Sequence, residues 1–170
     1  MTVVEAIKKR YSCRAYQQRA IEPEKLTQIF EAAHWAPSAR NFQDWRFVVV
    51  TEKNIKHQVA ETTNRAEVFS KAGVIIVACS NNDHVMTCGQ RVGPIDVSII
   101  LDHISLIATE LGLATCWVGA FKTEKVRQLL GIPQGIEIVE LMTIGYPADE
   151  LKPKDRQAVE EIVCYDKWDF

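Results

Sequence analysis

The sequence predicts a layered fold in which helices cover both faces of a β-sheet. Residues 72–79 are apolar throughout, which is typical of a strand that is buried on both of its faces. A helix that opens at Pro23 carries apolar residues three and four positions apart, and this spacing marks one buried stripe. A longer helix, expected from Pro94 to Gly112, is apolar on more than one side and is therefore expected to be central.

In the first third of the chain, proline and aromatic residues indicate where helices and strands begin and end. Pro23 is tolerated in the first turn of a helix, whereas Pro37 disfavours helical geometry at the residue before it and ends that helix. Trp45 opens a run of aromatic and β-branched residues that favours a strand. The expected elements here are helices at 3–10, 22–36 and 52–63, an extended segment at 10–14 and a strand at 45–50.

In the rest of the chain, glycine and threonine mark the ends of several helices. Gly112 and Gly131 are expected to end helices, and Thr123 is expected to be the N-cap of the helix that Gly131 closes. The polar stretch 81–93 predicts a surface loop that borders a pocket. A final strand after a charged arm must join a sheet, either its own or a neighbour's. The expected elements are strands at 72–79, 114–121, 136–144 and 162–165 and helices at 94–112 and 123–130.

Composition narrows the class of function. At 170 residues the chain is expected to form one domain, 1–170, and its formal net charge of −2 argues against nucleic acid as a main partner. No apolar run approaches the roughly 20 residues of a membrane span, so no membrane partner is expected. Five cysteines without CxxC or zinc spacing, and no secretion signal, predict reduced thiols, no metal and a cytoplasmic location. Only Cys88 is a candidate for reactivity.

The loop at residues 36–47 is the first candidate binding segment. Ser38, Arg40, Asn41 and Gln43 offer hydroxyl, amide and guanidinium groups between a helix and a strand, and no carboxylate occurs before Asp44. Such a loop suits a neutral polar heterocycle better than acid–base chemistry. A plain helix-to-strand connection explains the same spacing equally well.

Basic residues form two further candidate segments. Arg10, Ser12 and Arg14 are expected on one side of an extended segment, where they form either an anion clamp or a solvated basic turn. Lys154 and Arg156 lie near the end of the chain. Dinucleotide and P-loop motifs are absent from the sequence, and it shows no catalytic triad or paired carboxylates. This inventory favours a site that binds a large anionic cofactor and leaves the chemistry to it.

Five segments in register resemble motifs of the nitroreductase family, the small FMN-dependent oxidoreductases. The family motifs, in chain order, are RRSxR, APSxxNxQPWxF, LGLgtcWiG, iGyP and KxR. They correspond, in the same order, to residues 10–14, 36–47, 111–119, 144–147 and 154–156. The chain departs from these motifs at Asp44, which replaces a proline, and at Tyr11 and Cys13. The loop 81–93 is also short beside the helical lids of larger members.

The resemblance implies an α+β fold, a three-layer α-β-α sandwich around a mixed, mainly antiparallel sheet. It also implies an intertwined homodimer with two FMN sites at the interface, in which the strand 162–165 extends the partner's sheet. The implied reaction passes hydride from NAD(P)H through flavin N5 to a small acceptor such as a nitroaromatic or quinone, in ping-pong order. No side chain is then expected to be catalytic.

The same resemblance assigns roles around FMN. Arg10, Lys154 and Arg156 would hold the phosphate with Ser12 beside it, and Arg14 would favour the negative charge of the reduced ring. The amides of Val118 and Gly119 would lie near N5, and Asn64 would bond the ring edge. The full set of implied cofactor-binding residues is Arg10, Tyr11, Ser12, Arg14, Pro37, Ser38, Asn41, Gln43, Asn64, Val118, Gly119, Lys154 and Arg156.

Two other readings of the sequence stay open. One is a related flavin enzyme with different chemistry, such as dehalogenation or flavin fragmentation. The other is a flavin carrier or redox sensor with little turnover. The sequence leaves the physiological acceptor and the choice between NADH and NADPH undecided.

Overall fold

A computed structural model describes residues 1–151 and 153–170. Its helices are α1 (Val3–Lys9), α2 (Pro23–Ala33), α3 (Lys53–Glu61), α4 (Ala66–Phe69), α5 (Val92–Glu110) and α6 (Thr123–Leu130). Its strands are β1 (Trp45–Val50), β2 (Val74–Ser80), β3 (Ala114–Val118) and β4 (Glu137–Gly145). Two short 3₁₀ turns, Ala39–Asn41 and Val159–Glu161, complete the described elements.

The four strands form one sheet in the order β1-β2-β4-β3, and every neighbouring pair is antiparallel. In the centre of the sheet Val77 of β2 lies opposite Val48 of β1 and Leu141 of β4. The expectation of a mixed sheet is met only marginally. Among the described residues the only parallel pairing is an isolated bridge between Ser12 and Thr115.

Helices cover both faces of this sheet, as expected for a three-layer sandwich. On one face, α2 and α5 pack against Ile76, Met142 and Ile144. On the other face, α3, α4 and α6 pack against strand residues such as Val77 and Leu141. All seven residues of β2 are buried, because alternate side chains enter the two cores. Each fully buried aliphatic side chain contributes about 1.5–3 kcal/mol to folding, so the central strand anchors the fold.

Helix α5 is the central helix that the sequence predicts, with a shifted start. It begins at Val92, two residues before Pro94, because proline is accommodated in the first turn. It ends at Glu110, and Gly112 follows with φ of +76°. By length and composition α5 could also cross a membrane. Nine of its 19 residues are buried within this fold, so it serves as a core helix.

Two local expectations are wrong. Thr123 is the first residue of α6 and not its N-cap; Lys122 holds that position and supplies no side-chain hydrogen bond. Residues 162–165 do not form a strand, because they lie after a 3₁₀ turn and no strand among the described residues pairs with them. Lys152, which belongs to the charged arm expected at 151–156, lies outside the described residues.

Candidate functional site

A cationic cleft of about 300 Å³ lies where the start of the chain meets its C-terminal arm. Six of the residues assigned to cofactor binding line it, together with two carboxylates that the sequence did not single out. The four cationic side chains outnumber the two acidic ones, so the cleft has an excess of positive charge. Its lining residues are Arg10, Tyr11, Ser12, Arg14, Asp149, Glu150, Lys154 and Arg156.

The segment that carries Ser12 and Arg14 is held against the edge of the sheet. Ser12 pairs with Thr115 of β3, and the backbone N–H of Cys13 donates to the carbonyl of Thr115 at 2.9 Å. Because side chains alternate along an extended segment, Cys13 is fully buried while Ser12 and Arg14 face the cleft. The extended segment therefore presents Arg10, Ser12 and Arg14 to the cleft, which is the arrangement that an anion clamp requires.

Asp149 ties this segment to the C-terminal arm. Its Oδ1 accepts hydrogen bonds from the Tyr11 hydroxyl at 2.9 Å and the Cys13 thiol at 3.2 Å. Its Oδ2 accepts from the backbone N–H of Arg14 at 3.2 Å, and its own carbonyl accepts a second bond from Tyr11. This carboxylate therefore adds a second attachment of the cleft wall to the one that Thr115 provides.

These contacts shift the ionisation of all three side chains. Burial raises the pKa of Asp149, but the bonds from Arg14, Cys13 and Tyr11 outweigh it, so the pKa is lowered from its ordinary value. Burial, together with the bond to Asp149, raises the pKa of Cys13 to about 11 and raises that of Tyr11. At neutral pH the cluster therefore contains a carboxylate, a thiol and a phenol.

Lys154 brings the C-terminal arm to the end of α1. Its Nζ donates to the backbone carbonyls of Ile7 and Lys8, in the last turn of α1, where a cation is favoured by the helix dipole. Slight burial and the nearby charges of Arg10 and Arg156 lower the pKa of Lys154. The like charges in the cleft therefore repel one another, and a bound anion would relieve that repulsion.

The loop between α2 and β1 is a second, separate region. The backbone N–H of Ala39 donates to both carboxylate oxygens of buried Asp96 at 3.1 Å, and Ser38 Oγ accepts from the N–H of Gln43 at 3.1 Å. Arg40, Asn41 and Gln43 have φ of 49°, 58° and 53°. Such left-handed conformations in non-glycine residues are a recurring feature of functional loops, at a cost of about 1–3 kcal/mol each.

Asp44 joins that loop to the segment after β2. Its Oδ2 accepts from Asn82 Nδ2 at 2.6 Å, and the rings of Phe42 and His84 meet edge to face with centroids 5.9 Å apart. A cleft of about 560 Å³ lies beside them, and exposed Cys88 is part of its wall. The loop 81–93 therefore borders a pocket, as expected.

The end of β3 carries the next two assigned residues. Val118 is buried, and among the described residues a Cβ built on Gly119 would meet only the Glu140 carboxylate, at 3.6 Å. Burial raises the pKa of Glu140, although backbone amides at Leu141 and Val118 offset part of this. Within the described part of the chain, the buried Oε1 of Glu140 has no hydrogen-bond partner.

Asn64 lies near this strand end. It is exposed in the turn after α3, directly after Thr63, which pairs with Phe121.

The single chain brings six of the residues assigned to cofactor binding into the cationic cleft. The other assigned residues do not line that cleft: Pro37, Ser38, Asn41, Gln43, Asn64, Val118 and Gly119.

Sequence reasoning missed the acidic residues that organise these regions. Asp149 and Asp96 each accept hydrogen bonds from a segment that is distant along the chain, as in the pairing of Asp149 with Arg14 across 135 residues, and the Glu140 carboxylate lies beside Gly119. An isolated carboxylate in a charged arm or on a helix has no local pattern that reveals such a partner. The one available signal was the position of Asp149, two residues after the iGyP segment.

Comparison with known proteins relates the chain to one family. The sequence profile of the nitroreductase family matches residues 7–66 and 55–146. A protein of Archaeoglobus fulgidus whose name contains NAD(P)H nitroreductase is 32% identical over 145 residues, which cover 83% of each chain.

Solved structures agree with that relationship. A nitroreductase family protein from Clostridium difficile 630 has 34% identity and a TM-score of 0.87, covering 99% of this chain and 100% of that one. An FMN-dependent nitroreductase from Clostridium difficile R20291 has 27% identity and a TM-score of 0.78, covering 98% of both chains.

Proposed function

This chain belongs to the nitroreductase family, and on that premise we propose that it is an NAD(P)H-dependent oxidoreductase with FMN as its resident cofactor. One relative is named for NAD(P)H and one structural neighbour is named for FMN, which supports this choice. The observation that carries the proposal is the cationic cleft, where Arg10, Arg14, Lys154 and Arg156 converge from the two ends of the chain.

The donor set of the cleft fits the phosphate of FMN. Guanidinium groups bind phosphate oxygens in a bidentate way, and an ammonium group binds them as a point charge. Arg10 and Arg156 supply the first kind of group and Lys154 the second. The lowered pKa of Lys154 beside Arg10 and Arg156 supports this assignment, because a dianion would offset the crowding of positive charge.

Other residues are proposed to act on the flavin ring. Arg14 would favour added negative charge at the pyrimidine edge, and Ser12 would bind beside the phosphate. The amides of Val118 and Gly119 would lie at N5, where the lack of a side chain on Gly119 leaves room for a ring. Asn64 would bond the ring edge from the neighbouring turn.

We propose that a second copy of the chain completes the site. Pro37, Ser38, Asn41 and Gln43 do not line the cleft of their own chain, so a contribution to the ring would come from the other subunit. The surface has ample apolar area for such a contact. Large exposed apolar side chains at the two ends of the chain include Val3, Val4, Ile7, Ile162, Tyr165, Trp168 and Phe170.

When bound, FMN would supply the redox chemistry, with NAD(P)H as the hydride donor and a small molecule, such as a nitroaromatic or a quinone, as the acceptor. The protein holds the cofactor, orients its ring and shields it from water, so no side-chain nucleophile is required. Alternation of the two substrates on one face gives ping-pong kinetics.

The test is to purify the full chain, record its visible spectrum and titrate it with FMN. We expect a flavin spectrum with peaks that shift on binding, and oxidation of NADH or NADPH that requires an added quinone or nitroaromatic. A protein that gains no flavin when FMN is added would overturn the proposal. Bound FMN with negligible turnover for every acceptor would favour a carrier or sensor.

A further inference from the structure

Asp149 places a negative charge inside the cleft proposed for a phosphate. By Coulomb's law alone this carboxylate should weaken anion binding, since it opposes the cations beside it. Yet it accepts hydrogen bonds from the Tyr11 hydroxyl, the Cys13 thiol and the backbone N–H of Arg14. Hydrogen bonds to a charged acceptor are the stronger kind, so the carboxylate holds two side chains and one backbone N–H of the segment that forms one cleft wall.

Side chains along this wall alternate between the protein interior and the cleft, so the position of the backbone decides which of them can reach a ligand. Cys13 is fully buried and its thiol also donates to the carbonyl of Ala15 at 3.0 Å. With Cys13 held inward and the Arg14 N–H held by Asp149, the side chains of Ser12 and Arg14 have to face the cleft. Without the carboxylate, the N–H of Arg14 would lose its acceptor.

The neighbouring acid provides a contrast. Glu150 lines the same cleft and carries the same formal charge, but it is exposed and makes no hydrogen bond or ion pair to any other described residue. If charge were the only property that mattered, Asp149 and Glu150 would be equivalent in their effect on a bound anion.

We propose that Asp149 is a positioning residue for the flavin site. Its carboxylate fixes the segment 11–14 so that Ser12 and Arg14 point at the cofactor, and this function outweighs its unfavourable charge. The inference rests on the proposed function, because it takes FMN as the ligand of the cleft.

The charge and the positioning function make opposite predictions for Asp149→Asn. This substitution removes the negative charge, keeps an acceptor for Tyr11, and turns an amide NH₂ towards the N–H of Arg14. Loss of charge alone would tighten FMN and raise the reduction potential of the bound flavin. Loss of positioning weakens FMN, by about tenfold in Kd, and lowers that potential.

The experiment uses flavin-free full chain, titrated with FMN by fluorescence quenching, followed by a redox titration of the reconstituted protein. Glu150→Gln is the matched control, since it removes one charge from the same cleft without breaking a contact. We expect it to tighten FMN and leave the potential equal or higher. Tyr11→Phe removes the hydroxyl that bonds both the carboxylate and the backbone carbonyl of Asp149, without changing any charge, and we expect a smaller loss of FMN affinity.

Each outcome decides a different point. If Asp149→Asn behaves like Glu150→Gln, with tighter FMN and no lower potential, the positioning inference is overturned while the flavoenzyme proposal stands. If the unaltered chain binds no FMN, both fall. Should Asp149→Asn fold poorly, Tyr11→Phe carries the test, and unchanged FMN affinity in that variant overturns the inference.

Discussion

Arg14 is the side chain whose charge is expected to act on the flavin ring rather than on its phosphate. It is exposed at the cleft, and its Nη1 donates a hydrogen bond to the carbonyl of Ser12 at 3.4 Å. That bond is the only one that its side chain makes to a described residue, while Asp149 holds its backbone N–H, so the guanidinium is available to a ligand. The position follows from the alternation of the extended segment, which the sequence already predicts.

Replacement of Arg14 by alanine should make the bound flavin harder to reduce. Loss of a tenfold preference of the cation for the reduced form corresponds to about 30 mV in a two-electron couple. A redox titration against a reference dye measures the shift. Arg19→Ala is a suitable control, because Arg19 lies over the Tyr146 ring at 3.9 Å and outside the cleft. An unchanged potential in Arg14→Ala would remove the assigned role.

Glu140 should make the free energy of unfolding decrease as the pH rises. Burial raises the pKa of its carboxyl in the folded state, so the charged form is disfavoured there. The contribution of Glu140 to stability is therefore favourable below its unfolded pKa, near 4.3, and is lost as pH rises through the raised folded value.

Glu140→Gln should consequently raise the melting temperature at neutral pH, and the gain should shrink as the pH falls towards that of an ordinary carboxyl. Thermal unfolding of both proteins across pH 4.5 to 8 (a window of roughly this width brackets the expected titration) measures the difference. A gain that grows at acid pH would contradict the assignment of a raised pKa.

At the scale of elements, the end of β4 shows why the iGyP segment contains glycine. A Cβ on Gly145 would lie 2.8 Å from Tyr16 Cδ1 and 2.9 Å from the backbone nitrogen of Gly73. Tyr16 itself is fixed, because its buried hydroxyl bonds Thr143 Oγ1 at 2.8 Å. The close approach of three segments here leaves no space for a side chain.

Gly145→Ala should therefore destabilise the fold by about 1–3 kcal/mol through overpacking. Urea unfolding measures this loss. Gly135→Ala is the matched control, since a Cβ there meets nothing within 4 Å and we expect a near-neutral effect. Equal stability of the two variants would show that the neighbours of Gly145 give way more easily than their packing indicates.

Elements with a strong periodic signal were predicted well. The buried strand expected at 72–79 is β2 (Val74–Ser80), and the apolar helix expected at 94–112 is α5 (Val92–Glu110). Short elements such as α4 (Ala66–Phe69) were missed, because four residues carry too little periodicity to be recognised. The expected strand at 162–165 was wrong for the single chain, because strand formation depends on a partner that local sequence does not supply.

At the scale of the whole molecule, the proposed site depends on two copies. We expect the purified protein to be a dimer, with twice the 19.2 kDa mass of one chain. A chain truncated after residue 158 loses Tyr165, Trp168 and other exposed apolar side chains, and should dissociate at higher concentration than the full chain.

Sedimentation of both proteins over a range of concentrations measures this difference. FMN binding should weaken together with dimer formation, because the proposed ring contacts come from the second subunit. A full-length monomer that binds FMN as tightly at every concentration would contradict a site shared between subunits.

The sequence by itself determined the layered class, the buried strand and central helix, the family, and the cationic side chains of the cleft. These features are local: they are carried by periodicity and by motifs within a few residues. Only the tertiary structure showed that Asp149 holds Arg14 across 135 residues and that Asp149 and Glu150 share the cleft of Arg10 and Lys154. Such contacts depend on where the C-terminal segment passes the N-terminal segment, and the packing of the whole core sets that path.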